Sequence, residues 1–179
     1  MSHIHTEPGQ HDHITSAYII RTDLEEPQIL LHRHKQLGVW LQFGGHIELD
    51  ENPWQAIIHE LREESGYDID QLTVLQPADV LGALSASVSH PTPLSHNTHV
   101  HGNSGSHIHI DTSYGFIVDQ APHHPIDEGE SKTLRLFTRQ ELNDLSATDI
   151  YTNTREIALF LFDVALKKWE RRPAGEVPR

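Results

Sequence analysis

Hydrophobic and polar positions alternate along most of the chain with the two-residue period of half-buried strands. His13–Arg21 (HITSAYIIR) and Gln28–His32 (QILLH) are rich in β-branched and aromatic residues and are separated by a Glu25-Glu26-Pro27 break, so they predict two early strands. Val39–Phe43 alternates Val39, Leu41 and Phe43 against Trp40 and Gln42, a third strand running into a Gly44-Gly45 turn. The period then changes to 3.6. Trp54, Ile57, Ile58, Leu61 and Ser65 form one stripe of a helix over 52–65, with Asn52 and Gln55 as a capping pair, Pro53 at the first helical position and Gly66 as terminator. Gln71–Leu81 predicts a strand interrupted by Pro77. Residues 82–106, dominated by Ser, His, Thr, Asn, Pro and Gly, predict a long loop suited to a lid or a specificity loop.

Strand character returns over Ser106–Val118 and Thr133–Phe137, Thr138 caps a short helix through Glu141, and an amphipathic helix with an Asn153/Glu156 capping pair runs from Asn153 to about Arg171. The expected fold class is therefore α/β (α+β): helices packed on a mixed β-sheet, in one domain over 13–171. A polar lead-in is expected over 1–12 and a flexible tail over 172–179.

Composition narrows the functional classes. The chain has 179 residues, enough for one compact domain with a sizeable core. Its 13 Lys+Arg against 26 Asp+Glu give a net charge of −13, which argues against a broad footprint for DNA, RNA or an anionic membrane surface. Cysteine is absent, so any metal must be held by oxygen and nitrogen ligands. No apolar run reaches the roughly 18 residues of a membrane span, and a cytoplasmic location is expected. The 16 His are the compositional anomaly.

The predicted helix over 52–65 carries Glu60, Glu63 and Glu64, at spacings that place three carboxylates on one flank. Such a flank is either a solvated acidic face or, because like charges at that spacing repel, a site awaiting a hard cation; Mg²⁺ with one or two carboxylates and a substrate phosphate fits that chemistry. The surrounding residues favour the second reading. From Gly45 the chain reads a Gly, five residues, Glu51, seven residues, then His59-Glu60-Leu61-Arg62-Glu63-Glu64-Ser65-Gly66-Tyr67. This closely resembles the Nudix box, in which the ordered acids follow an Arg; here that position is His59.

The resemblance implies a Nudix-like α/β/α sandwich and a metal-dependent hydrolase cleaving a diphosphate linkage in a nucleoside diphosphate derivative. It implies Mg²⁺ or Mn²⁺ held by the Gly45 carbonyl, Glu60 and Glu64, with Glu63 as a further ligand or water partner and Glu60 deprotonating the attacking water. Glu51 would brace the loop and helix. Relatives often take a further ligand or base from the loop before a late strand, where Glu128 or Glu130 stands; either is equally an ordinary loop acid. His59 replaces a permanent cation, and its expected partner is Glu63, four residues on. A catalytically weak or inactive nucleotide-binding or sensor module is the alternative that His59 motivates. The sequence lacks the extra signatures of NADH diphosphatases, ADP-ribose pyrophosphatases and coenzyme A diphosphatases, without selecting another substrate. The expected partner is a small nucleotide, and a homodimer is compatible with the terminal helix.

Alternation over Ser106–Asp111 places His107, His109 and Asp111 on one strand face. These residues are either a solvent-facing polar side, the preferred reading, or contacts to substrate or a transition metal. His109, Asp111 and His46, beside the box, are the candidate substrate-binding residues, and His32 and His34 also flank the glycines.

Overall fold

The computed structural model describes residues 7, 9–82, 84–101 and 107–178. Most of the expected lead-in (1–6 and 8) and part of the expected loop (83 and 102–106) lie outside them. The centre of the fold is β1 (His11–Arg21), which pairs in parallel with β7 (His107–Val118) and antiparallel with both β2 (Gln28–Arg33) and β4 (Phe43–His46). Beyond β2 lie β3 (Trp40–Leu41) and β8 (Leu134–Thr138); beyond β7 lie β5 (Thr73–Gln76), β6 (Ser95–His101) and β9 (Glu170–Pro173). The sheet is mixed.

Both faces of β1 are covered. Ala17 and Ile19 pack with Phe43, Trp54, Ile57 and Leu61 under α1 (Pro53–Glu60), while Tyr18 and Ile20 pack with Phe137, Ile150, Ala158 and Leu161 under α2 (Arg139–Asp144) and α3 (Thr152–Phe160). A strand buried on both sides reads as a continuous apolar run, which is why residues 17–20 lack strict alternation. Among the described residues no helix is long and apolar enough to cross a membrane.

The start of α1 follows the sequence signature, with Asn52 accepting from the Trp54 and Gln55 N–H groups and Gln55 reciprocating. After Glu60 the helix widens into a π-helical turn, Leu61–Ser65, and stops at Gly66 in the left-handed region (φ 74°). A Cβ at Gly66 would lie 2.2 Å from the His124 carbonyl oxygen, so only glycine satisfies both the dihedral and the packing.

Four expectations are corrected. Gly44 and Gly45 are strand residues of β4, opposite Ser16 and Thr15, rather than a turn. The expected loop over 82–106 contains β6, which pairs antiparallel with β7 along its length; its alternate residues are His, Thr and Asn, so no apolar period marked it. Strand β5 is confined to Thr73–Gln76, after a single 3₁₀ turn at Ile69–Gln71. At the C-terminal end the helix stops at Lys168, Tyr151 rather than Asn153 occupies the N-cap, and the end of the expected helix with the start of the expected tail forms β9 against β5, with Ala174 buried behind it. Backbone pairing to an open sheet edge holds Glu-Arg-Arg-Pro in place, and an all-exposed strand carries no hydrophobic signal.

Candidate functional site

The two glycines of β4 form the floor of the site. A Cβ on Gly45 would fall 2.0 Å from Glu60 Oε1, so the missing side chain is what lets the Glu60 carboxylate rest on the strand. Next to it, the Gly44 N–H donates to Glu64 Oε2 at 2.8 Å. Gly44 has φ 139°, and a Cβ there would lie 2.1 Å from the Thr15 carbonyl oxygen, so this approach is also specific to glycine. The π turn presents Glu64 inward, 2% exposed, and leaves Glu63 exposed on the rim. The three box acids therefore do not share one face, as regular helical spacing implies.

A third carboxylate joins the pair. Glu130, from the loop before β8, interacts with both Glu60 and Glu64 and hydrogen-bonds to Glu64, whereas Glu128 is exposed. His32, buried on β2, places Nδ1 3.8 Å from Glu64 Oε1. Burial pushes the Glu60 carboxyl up to about 7, with repulsion from Glu63, Glu130 and Glu51 adding to it. Burial pushes Glu64 up to about 9, reinforced by Glu60 and Glu130 and opposed by the Gly44 N–H. Burial also takes His32 down to about 4, with His34 contributing, so its imidazole does not neutralise these acids near neutral pH.

His59 does not pair with Glu63. Its Nδ1 meets Glu51 Oε1, and the imidazole is two-thirds exposed. The contact ties the helix to the loop that precedes it.

A cleft of about 270 Å³ opens beside the glycine strand. Leu37, Leu41 and Tyr151 supply apolar wall, Gln36, Gln42 and Asn153 supply polar groups, and His46, His107 and His109 also line it. Gln42 is held in place, donating to Ser16 Oγ at 3.2 Å and accepting from Thr154 Oγ1 at 3.0 Å. A smaller hollow containing Glu64 and Glu130 shares His32, His34 and Gln36 with this cleft, which connects the carboxylates to it.

The histidine face of β7 is turned inward, contrary to the solvent-facing reading: His109 is 6% exposed and Asp111 2%. On this stretch β7 is paired on both edges, and the register sets Asp12 of β1 and His99 of β6 beside His109 on the same face. Asp111 lies deeper than the cleft wall, accepting from Ser113 Oγ at 3.0 Å and hydrogen-bonding to Ser16, so its expected contact with substrate is not supported by this placement. Of the two loop acids that the sequence offers, Glu130 rather than Glu128 reaches the pair, and one residue is missed: Asp12 falls in the expected lead-in although it is buried in β1.

The family model of the NUDIX domain matches residues 12–160. The chain belongs to the NUDIX domain family. The Nudix architecture extends over most of the chain: a crystal structure of a NUDIX-family hydrolase from Clostridium perfringens superposes with a TM-score of 0.67 at 28% identity, covering 86% of this chain and 97% of that one. The binary complex of the Ap4A hydrolase of C. elegans superposes with a TM-score of 0.63 at 18% identity, covering 87% and 97%. The NUDIX domain of Shewanella oneidensis NrtR, solved with ADP ribose, gives 0.56 at 11%, covering 83% and 84%. At these lower identities the likeness is one of fold. In sequence, 66 residues are 38% identical to YjhB of Bacillus subtilis (strain 168), a protein provisionally named an ADP-ribose pyrophosphatase. That match covers 37% of this chain, and the chain spans 29% of the length of that relative.

Proposed function

We propose that this Nudix chain hydrolyses a diphosphate linkage in a nucleoside diphosphate derivative by attack of water on phosphorus, using Mg²⁺ or Mn²⁺. One observation carries the reading: Glu60 and Glu64 are packed on Gly44 and Gly45 with Glu130 against them, in buried surroundings that disfavour their ionisation in the absence of a cation. The donor set fits a hard divalent ion, since the carboxylates and the Gly45 carbonyl all offer oxygen and the bare Gly45 leaves room for Glu60. Glu60, Glu64 and the Gly45 carbonyl would hold it, with Glu130 taking the place expected of Glu128 and Glu63 contributing from the rim. When bound, such an ion polarises phosphoryl oxygens and lowers the pKa of a coordinated water.

The protein's own groups supply the rest. Glu60, resting on Gly45 beside the other oxygen donors, suits the role of accepting a proton from the attacking water. Buried Glu64, fixed by the Gly44 N–H, holds its oxygen in a set position. The cleft takes the nucleoside part, with a base against Leu37, Leu41 and Tyr151, and with His46 and His109 in its lining. The ADP ribose in the NrtR complex and the name of the C. elegans enzyme support a small nucleotide-derived ligand. The strongly negative net charge gives no support to a nucleic-acid polymer.

The test is phosphate and nucleotide release from ADP-ribose, dinucleoside polyphosphates, nucleoside triphosphates and sugar nucleotides with Mg²⁺ or Mn²⁺, comparing wild type with Glu64→Gln. Metal-dependent turnover abolished by the substitution is the expected result. Tight nucleotide binding without turnover by the folded, metal-supplied wild type overturns hydrolysis and makes the chain a binding module.

A further inference from the structure

A second group of ligand side chains lies across β4 from Glu60, and strand register assembles it. In the parallel pair β1–β7 Asp12 lies beside His109, and in the antiparallel pair β1–β4 Ile14 lies beside His46. Partners across a ladder share a face, as do residues two apart on one strand. Asp12, His46, His107 and His109 therefore project to the same side of the sheet, where Ile14 and Ser16 line the cleft. Gly45, opposite Thr15, is turned the other way, toward Glu60.

The four side chains converge on one point. His107 Nε2 lies 2.9 Å from Asp12 Oδ2 and 2.9 Å from His109 Nε2, and His46 Nε2 lies 3.8 Å from Asp12 Oδ2. One ligand atom from each of the four falls within 4.8 Å of all the others. Bonds of about 2.0–2.1 Å to a tetrahedral ion separate its ligand atoms by roughly 3.3 Å, a value that these distances bracket. An imidazole nitrogen offers either one N–H or one lone pair in the ring plane. His107 Nε2 faces a carboxylate oxygen and another imidazole nitrogen at equal distance, and one hydrogen serves only one of them at a time. A cation at the common focus takes a lone pair from every member. A solvated polar face would spread these groups, but Asp12 and His109 are 5% and 6% exposed.

We propose that Asp12, His46, His107 and His109 bind one divalent transition-metal ion of the zinc class. Three imidazoles and one carboxylate suit Zn²⁺, Co²⁺ or Ni²⁺, whereas Mg²⁺ and Ca²⁺ take oxygen donors. The site shares no ligand with the carboxylate floor, although His46 directly follows Gly45. It joins β1, β4 and β7, so the bound ion clamps the end of the cleft nearest the glycine strand. His99, whose ring lies edge-on 5.3 Å from that of His109 with Nδ1 3.2 Å from Asn97 Oδ1, packs behind the set.

The experiment uses the full chain without an affinity tag, stripped with chelator and dialysed, then given Zn²⁺ alone or Co²⁺ alone. Expected are one equivalent of Zn²⁺ retained through dialysis, the intense visible absorption of four-coordinate Co²⁺, and a rise in Tm of roughly 5–10 °C at a hundredfold excess over Kd. Glu64→Gln keeps all three properties. His107→Ala and His109→Ala weaken Zn²⁺ binding by about 100-fold or more, beyond what loss of an outer hydrogen-bond partner causes. Asp12→Asn, which preserves shape, serves the same purpose if the alanine variants fail to fold. Three outcomes overturn the proposal: no Zn²⁺ retained by the folded wild type, an equivalent that survives in folded His107→Ala, His109→Ala or Asp12→Asn protein, or one lost in Glu64→Gln.

Discussion

The two faces of β4 present two sets of convergent side chains that the chain assembles in opposite ways. On one face, Glu60 and Glu64 come from a single helical turn and meet two adjacent glycines some twenty residues earlier; only Glu130 is brought in from far along the sequence. On the other, Asp12, His46, His107 and His109 come from three strands and meet only because β1 pairs with both β4 and β7. The first set is all oxygen and electrostatically unfavourable when empty, with burial and repulsion raising both acids. The second mixes one carboxylate with three imidazoles, so its charges do not oppose one another. By donor chemistry a hard ion suits the first set and a borderline ion the second. The difference makes the two faces separable by mutation.

Glu64→Gln draws that separation most sharply. Removing one charged group from a preorganised centre costs roughly 10²–10³ in turnover, so hydrolysis is expected to fall at least that far while Zn²⁺ retention is unchanged. Gly45→Ala comes next. Its Cβ meets the tip of the Glu60 side chain, which moves aside, so the protein folds but the carboxylate is displaced; an ångström-scale misplacement costs about 10²-fold in turnover. Gly44→Ala is the control on the same strand. Its Cβ meets backbone at Thr15 and its φ disfavours any side chain, so denaturant titration should show a loss of at least ~1–3 kcal/mol. Equal stability for the two alanine variants would contradict the account of the glycine floor.

The same contrast explains what was readable in the sequence. Glu60, Glu64 and Gly45 lie within one short window of fixed spacing, and the Asn52 cap and Gly66 stop delimit the helix that carries them. The π turn that buries Glu64 and exposes Glu63 leaves no mark in that spacing, because both acids fit a regular helix equally well. The sequence offers Glu128 and Glu130 without choosing between them, because the loop holds several acids and only the chain path selects one. His107 and His109 were legible as neighbours on a face, but which face of the sheet, and beside which residue, depended on the β1–β7 pairing. Asp12 looked like lead-in for the same reason. Strand β6 carries no apolar period because Val100 is the one apolar residue among its seven, and β9 carries none because all four of its residues are exposed.

The carboxylate face should also appear in the pH dependence of stability. Glu60 and Glu64, raised from an ordinary 4.5 to about 7 and about 9, bind protons more tightly folded than unfolded. Their contribution is fully present below the ordinary value and is lost as pH rises through the folded values. His32 acts in the other direction: lowered from 6.5 to about 4, it destabilises the fold only as pH falls below its ordinary value and is constant above it. Between pH ~6.5 and ~9 the metal-free protein should therefore lose ~4 kcal/mol, at ~1.4 kcal/mol per pKa unit, and with it roughly 8–15 °C of Tm, at ~2–4 °C per kcal/mol. Thermal denaturation in chelator should show this fall, Mg²⁺ should reverse it most at the alkaline end, and Glu64→Gln should flatten it. A metal-free Tm that rises across this interval contradicts the buried, mutually repelling pair.

The smallest expected effect concerns the one box position that departs from the family pattern. His59 holds Glu51, and Glu51 is among the charges that raise Glu60. An imidazole neutralises that carboxylate only while protonated, whereas a guanidinium does so at every accessible pH and adds a second donor. In His59→Arg the screening of Glu51 should persist under alkaline conditions, easing Glu60 toward its ionised, proton-accepting form. Because the contact is largely exposed, its scale is that of a surface ion pair, ~0.2–1 kcal/mol, which corresponds to at most roughly a five-fold gain in turnover. The gain should be larger on the alkaline limb of the pH–rate profile than on the acidic one, because the guanidinium keeps its charge at every accessible pH. Unchanged turnover at every pH would mean that Glu51 is held in place by the loop itself and that the substitution of His for Arg has no bearing on the carboxylate floor.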